Sequence, residues 1–251
     1  MLTARRCAVL GSPIEHSLSP AIHAAAYEHL GLDWMYGRHQ VVADELADFV
    51  AELDESWRGL SCTMPLKEAI VRLGQPDEIV TLVGVGNTLV FDGHPADHAT
   101  TRVRNTDVLG LEAALRAADA QGATTALILG NGATARSALA AMERLGVRRT
   151  TVLARDPRKT ESLATLGEEL GVEVSHQSLG VPVPEVDVAV STVPAASQSA
   201  LADDVATSAR IVFDAIYDPW PTPLARAAEQ DGGAVVLNGL DLLAWQAVFQ
   251  V

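Results

Sequence analysis

The chain has 251 residues, 48% of them apolar and 20% charged, which fits a folded protein of one large or two smaller domains and excludes a disordered one. A formal net charge of −14 argues against a general nucleic-acid-binding face and against docking on an anionic membrane. No run approaches the ~18 apolar residues of a membrane span, and MLTARRCAVLG lacks the apolar stretch of a signal peptide, so a cytoplasmic protein with no membrane partner is expected.

Short apolar runs alternate with helical patterns almost throughout, the signature of an α/β fold with mainly parallel sheets. RCAVL (6–10) reads as the first strand, carrying Cys7. The loop GSPIEHSLSP (11–20) follows, and Ser19 is expected to cap a helix that has Pro20 in its first turn and runs to Leu30. Residues 32–41 read as a strand, 43–53 as an amphipathic helix, and GLSCTM (59–64) as a strand that Pro65 brings to an end. Cys62 lies in that strand; neither cysteine has metal-ligand or disulfide spacing, and both read as reduced core residues. Helical stretches near 67–73 and 77–83 precede a strand at 86–91. A helix then runs from Asp107 to about Ala120 and is read as the connector between two domains flanking a cleft. The domain boundaries expected are 1–106, with 238–251 returning to it, and 107–237. In the second domain, strands at 124–130, 148–155, 172–176, 186–191 and 210–214 alternate with helices at 133–146 and 157–170, and helices at 222–230 and 239–250 follow.

LILGNGATARSAL places Gly130, Gly132 and Ala135 in a G-x-G-x-x-A pattern. The pattern is weak alone, but here it follows a buried strand and opens a helix, as a dinucleotide site requires. The first glycine permits the tight turn, the second a close approach of backbone to pyrophosphate, and a small third residue close helix–strand packing. The bare helix start supplies N–H donors and partial positive charge. The alternative is a turn that packs small residues. After the next strand the chain reads VLARDPRK, and the three cations Arg155, Arg158 and Lys159 favour the 2′-phosphate of NADP over the ribose of NAD. Asp156 leaves NAD open, since a carboxylate there can accept a ribose hydroxyl.

The first domain carries a different set of polar residues. Alternation along LSCTMPLK puts Ser61 and Thr63 on one face, with Lys67 at a helix start where a cation is electrostatically disfavoured unless it is used. Asn87 heads a strand, and Asn105, Thr106 and Asp107 head a helix, where Asp107 could simply be a cap. Ser17 and Ser19 are either an ordinary loop with a helix cap or a substrate grip, and His16 and His23 read as structural.

Taken together, GSPIEHSLSP, TMPLK, GNTLV, NTDVLG, GNGATA and GLDLLAWQA resemble, in order and spacing, the shikimate dehydrogenase family over essentially the whole chain. The resemblance implies an N-terminal substrate domain, a C-terminal Rossmann domain, and NADPH-dependent reduction of the small molecule 3-dehydroshikimate to shikimate by a monomer or homodimer. It implies that Ser17 and Ser19 hold the substrate carboxylate with Tyr217 nearby, that Ser61, Thr63, Asn87 and Gln246 surround the ring, and that Lys67 and Asp107 are catalytic. For the cofactor it implies Gly130, Asn131, Gly132, Ala133, Ala154, Arg155, Lys159, Thr192, Val193 and Ala215, with Gly239 and Leu242 at the nicotinamide. No metal is implied. The chain departs from the family pattern at Ser61 and Ala154, where asparagines are usual, and at Asn131–Thr134, and it ends at Val251 where the family continues into another helix. A relative acting on quinate or an aminoshikimate with NAD or NADP, and a non-catalytic nucleotide-binding regulator, are the alternatives.

Overall fold

The computed structural model describes residues 5–155, 160–178 and 180–251. They fall into two compact α/β units, one formed by 1–106 with 247–251 and the other by 107–246, so this division cuts the final helix near its end rather than at 238.

The first unit is a six-stranded mixed sheet in the order β2-β1-β3-β5-β6-β4. Its strands are β1 (Arg5–Gly11), β2 (Trp34–Gln40), β3 (Trp57–Cys62), β4 (Gln75–Pro76), β5 (Thr88–Phe91) and β6 (Thr101–Arg104). Strand β1 pairs parallel with β2 and β3, but β5 runs antiparallel to both β3 and β6. Strand β4 pairs parallel with β6, so the expectation of mainly parallel pairing holds with the two pairings of β5 as its exceptions. Strands β5 and β6 form a hairpin across residues 92–100, and a hairpin can only be antiparallel. Helices α1 (Ser19–Leu30), α2 (Leu46–Ala51) and α3 (Glu78–Val83) complete the unit, and Ala69–Leu73 winds as a 3-10 turn. The core gathers Leu10, Leu46, Leu60, Cys62, Ile70, Leu89 and Phe91. Both cysteines are buried free thiols, and burial pushes Cys62 up to about 12.

The second unit is an all-parallel sheet, β12-β11-β10-β7-β8-β9, made of β7 (Thr125–Leu129), β8 (Arg149–Leu153), β9 (Glu173–Gln177), β10 (Val186–Ser191), β11 (Ala209–Asp214) and β12 (Val235–Leu237). Counted from β7, this is the order 3-2-1-4-5-6 of a Rossmann fold, whose direction of winding reverses between β7 and β10. The helices are α4 (Thr106–Ala117), α5 (Ala133–Leu145), α6 (Glu161–Leu170), α7 (Ala202–Ser208), α8 (Pro223–Asp231) and α9 (Gly239–Val248). Continuous apolar strands such as TALIL suit a sheet covered on both faces. No helix among the described residues is long and apolar enough to cross a membrane.

Candidate active site

In the second unit the reversal of winding sits between the ends of β7 and β10, where ligands bind in open α/β sheets. Gly130 leaves β7 with φ +106, and a Cβ there would collide with the Thr192 hydroxyl just past β10. That hydroxyl is held in place by donating to the Leu129 carbonyl at 2.9 Å. Helix α5 then starts from Gly132 with no side-chain cap, and its first turn carries no carboxylate to offset its positive end. Ala135 is fully buried, which gives the close helix–strand packing expected of the third position. A pocket at this place is lined by Gly130, Asn131, Ala154, Arg155 and Val193 together with apolar Leu153 and Leu201. A bare helix start, a cation at the rim and an apolar wall fit a nucleotide with a phosphorylated ribose. Arg158 and Lys159 lie outside the described residues.

The loop after β11 is anchored by Asp214, which is fully buried. Its carboxylate accepts from Thr222 Oγ1 at 2.7 Å, Gln198 Nε2 at 2.8 Å and the Ile216 amide at 3.2 Å. Burial raises its pKa, and the bonds from Thr222 and Gln198 oppose that shift. The loop so fixed carries Ala215 and Tyr217 against the start of α9. The Gly239 amide donates to the Ile216 carbonyl at 3.3 Å, and a Cβ on Gly239 would strike the Ala215 carbonyl. Asn238 and Asp241 cap α9 reciprocally, with the Leu240 amide donating to Asn238 Oδ1 and the Asn238 amide to Asp241 Oδ2, both at 2.8 Å. Leu242 is buried one turn in. Gln246 is buried too, and its backbone presses so closely on Gly110 of α4 that a side chain there would not fit. Asp107 lies three residues before Gly110, on the same side of α4, and is buried.

In the first unit three loops meet at one end of the central strands β1, β3 and β5. The Ser12 amide donates to the Met64 carbonyl at 3.0 Å, Thr63 to Leu10 at 2.9 Å, Gly86 to Lys67 at 2.8 Å and Cys62 to Asn87 at 2.7 Å. These bonds tie the serine loop, the TMPLK loop and the start of β5 into one rim that holds Ser17, Ser19, Ser61, Thr63, Lys67 and Asn87. Ser17, Ser19, Ser61 and Asn87 are buried, and Lys67 is half-buried. Ser19 does not cap α1. Leu18 already has helical dihedrals and stands at the cap position, with no side-chain cap bond, while the Ser19 amide donates to Ser17 Oγ at 3.4 Å. The helix therefore winds one residue earlier than the Ser-Pro pair suggests. His23 donates from Nδ1 to the Ser19 carbonyl at 2.9 Å and stacks on Tyr36 with ring centroids 3.9 Å apart, so it is a packing residue. His16 is exposed on the loop.

The sequence motifs do not single out Asp214, Tyr36 or Gln250, whereas Thr88 stands beside Asn87 at the head of its strand. Asp214 alone has a local signal, a carboxylate ending the apolar run IVF. The others become neighbours only through strand pairing and the return of residues 247–251 to the first unit.

Comparison with known proteins gives concordant matches. Residues 9–89 match the shikimate dehydrogenase substrate binding domain. The chain is 36% identical to the shikimate dehydrogenase (NADP(+)) of Sphingopyxis alaskensis, over 95% of this chain and 86% of that protein. Among solved structures, Mycobacterium tuberculosis shikimate dehydrogenase is 40% identical with a TM-score of 0.89, covering 98% of this chain and 91% of the other. The Thermus thermophilus shikimate 5-dehydrogenase, solved in complex with shikimate, is 30% identical with a TM-score of 0.77, covering 98% and 90%.

Proposed function

The chain belongs to the shikimate dehydrogenase family, and from that premise we propose which of its residues carry the reaction. The activity is the reversible, NADP-dependent interconversion of 3-dehydroshikimate and shikimate, a step of aromatic amino acid biosynthesis. When bound, NADPH supplies the hydride that reaches the carbonyl carbon of the substrate.

Every other requirement falls on the protein. The substrate carboxylate is held by the hydroxyls of Ser17 and Ser19, with Tyr217 as a further contact. Ser61, Thr63, Asn87 and Gln246 meet the ring hydroxyls. As the carbonyl carbon gains hydride, its oxygen gains alkoxide character and takes a proton. Lys67 and Asp107 provide and orient that proton as a pair, and in the reverse direction they accept it. Arg155 meets the 2′-phosphate, a role the sequence also assigns to Lys159, and the α5 start with Asn131, Gly132 and Ala133 faces the pyrophosphate. Ala154, Thr192, Val193 and Ala215 line the path of the nucleotide, while Gly239 and Leu242 meet the nicotinamide. In this reading, residues 1–106 and 238–251 bind substrate, and 107–237 bind nucleotide. The enzyme works in the cytoplasm as a monomer or homodimer.

What supports the assignment most directly is the first unit's rim, where backbone bonds between three loops hold two serines, an asparagine and a lysine together. A spectrophotometric assay of shikimate and quinate, each with NADP and NAD, tests the reading. Turnover is expected with shikimate and NADP. Lys67→Ala is expected to lose kcat by about 10²–10⁴-fold, the range for a lost proton-transfer group, with little change in the KM for NADP. Near-normal kcat in that variant removes Lys67 from the chemistry.

A further inference from the structure

Five side chains of the first unit form one continuous line of hydrogen bonds. Tyr36 OH lies 2.5 Å from Ser61 Oγ, Ser61 Oγ 3.0 Å from Gln250 Oε1, Gln250 Nε2 2.7 Å from Thr88 Oγ1, and Thr88 Oγ1 2.9 Å from Asn87 Oδ1. Asn87 ends the line at the helix start. Its Oδ1 lies 2.8 Å from the Thr106 backbone nitrogen, and its Nδ2 lies 2.9 Å from Thr106 Oγ1.

The direction of every proton follows from one unambiguous donor. A backbone N–H can only donate, so the Asn87 atom facing the Thr106 amide is the carbonyl oxygen. A carbonyl oxygen can only accept, so Thr88 spends its single proton on Asn87. The carboxamide end facing Thr88 must then be the NH₂ group of Gln250. That leaves Gln250 Oε1 toward Ser61, which must donate to it, and the Ser61 oxygen can receive a proton only from Tyr36. The tyrosine ring is held by its stack on His23. Ser61 and Thr88 are both buried, so losing a partner costs more here than at an exposed site.

We propose that Gln250, through this one-directional line of hydrogen bonds from Tyr36 to Asn87, is a positioning residue that locks the Asn87 carboxamide for the substrate ring. The inference rests on the reading of Asn87 as a substrate contact. It gives a role to a residue that neither the motifs nor the loop chemistry single out. It also gives the serine at position 61 a second function beside its contact to the ring. A short hydroxyl there accepts from Tyr36 and donates to Gln250, which an asparagine carboxamide cannot do through a single atom.

Three variants test it. Gln250→Met keeps the length and removes both polar ends. Gln250→Glu keeps the shape but presents only acceptors, so Thr88 turns its proton away from Asn87. Tyr36→Phe removes the head of the line and keeps the ring stack. Steady-state kinetics should show the shikimate KM rising about five- to tenfold in the two Gln250 variants, the order expected for one lost hydrogen bond to a ligand. A smaller rise is expected in Tyr36→Phe, with the NADP KM within about twofold of wild type throughout. A purely structural role would instead lower the melting temperature without selecting the shikimate KM. Side-chain amide NMR of the ligand-free protein supplies a readout independent of activity, and the Asn87 NH₂ pair should shift in Gln250→Glu and Tyr36→Phe. An unchanged shikimate KM in both Gln250 variants, or an unmoved Asn87 pair, overturns the proposal. Wild-type protein that fails to turn over shikimate overturns the functional reading instead, and the NMR result still decides the hydrogen-bond line.

Discussion

Replacing Gly130 with alanine would strain the turn between β7 and α5 in two separate ways. The residue has φ +106, a region that costs an L-residue about 1–2 kcal/mol. The new methyl group would also meet the Thr192 hydroxyl and push it off the Leu129 carbonyl, forfeiting a hydrogen bond of 2.9 Å worth about 1 kcal/mol. The sum, about 2–3 kcal/mol, corresponds to a fall of roughly 5–10 °C in the melting temperature for a domain of this size. The displaced turn is the one that faces the nucleotide, so the KM for NADP should rise at least about tenfold, while the KM for shikimate holds. Calorimetry and initial-rate kinetics on the same preparation read both effects. Thr192→Ala separates the two costs. Once the threonine side chain is cut back, adding Gly130→Ala should cost only the backbone part, so the double variant should fall about 1 kcal/mol short of the sum of the singles. A Gly130→Ala protein that melts within about 1 °C of wild type and keeps its NADP KM would refute the reasoning for this turn.

Two further outcomes follow from the same structure. Arg155→Gln should raise the NADP KM about tenfold and leave the NAD KM nearly unchanged; an unaltered NADP/NAD ratio would move recognition of the 2′-phosphate to other residues. Burial of His23 lowers its pKa in the folded protein, with its bond to the Ser19 carbonyl opposing the shift. The unfolded chain, titrating near pH 6.5, therefore binds more protons at lower pH. The stability contribution is complete above that value and is lost as the pH falls toward the folded pKa. Melting temperatures from pH 7 down to pH 5 should decline more steeply in wild type than in His23→Gln, and equal slopes would assign the acid sensitivity elsewhere.

Much of the second unit is readable because its signals are local. TALIL, GNGATA and the start of α5 occupy one continuous stretch, and a strand, a turn and a helix start each depend on neighbours a few residues away. The first unit was harder. TRVR at 101–104 is four residues long, and its alternation does not say whether it runs parallel or antiparallel to its partner. The two-residue β4 carries no periodicity at all, and the same holds for the three-residue β12 of the second unit. Ser19 looks like a cap from its place before proline, yet the helical dihedrals of Leu18 shift the helix start by one residue.

The amino-acid order by itself determined the chemistry on offer: small residues at the nucleotide turn, an arginine after β8, paired serines after β1, and a lysine just past the strand that Pro65 ends. These are properties of adjacent residues, set by backbone sterics and helix electrostatics. Only the tertiary structure decided which distant groups share protons. Tyr36, Ser61, Thr88 and Gln250 come from β2, β3, β5 and the chain's final residues. A hydrogen bond exists only when two atoms stand about 3 Å apart, and strand pairing and the return of the chain create that distance.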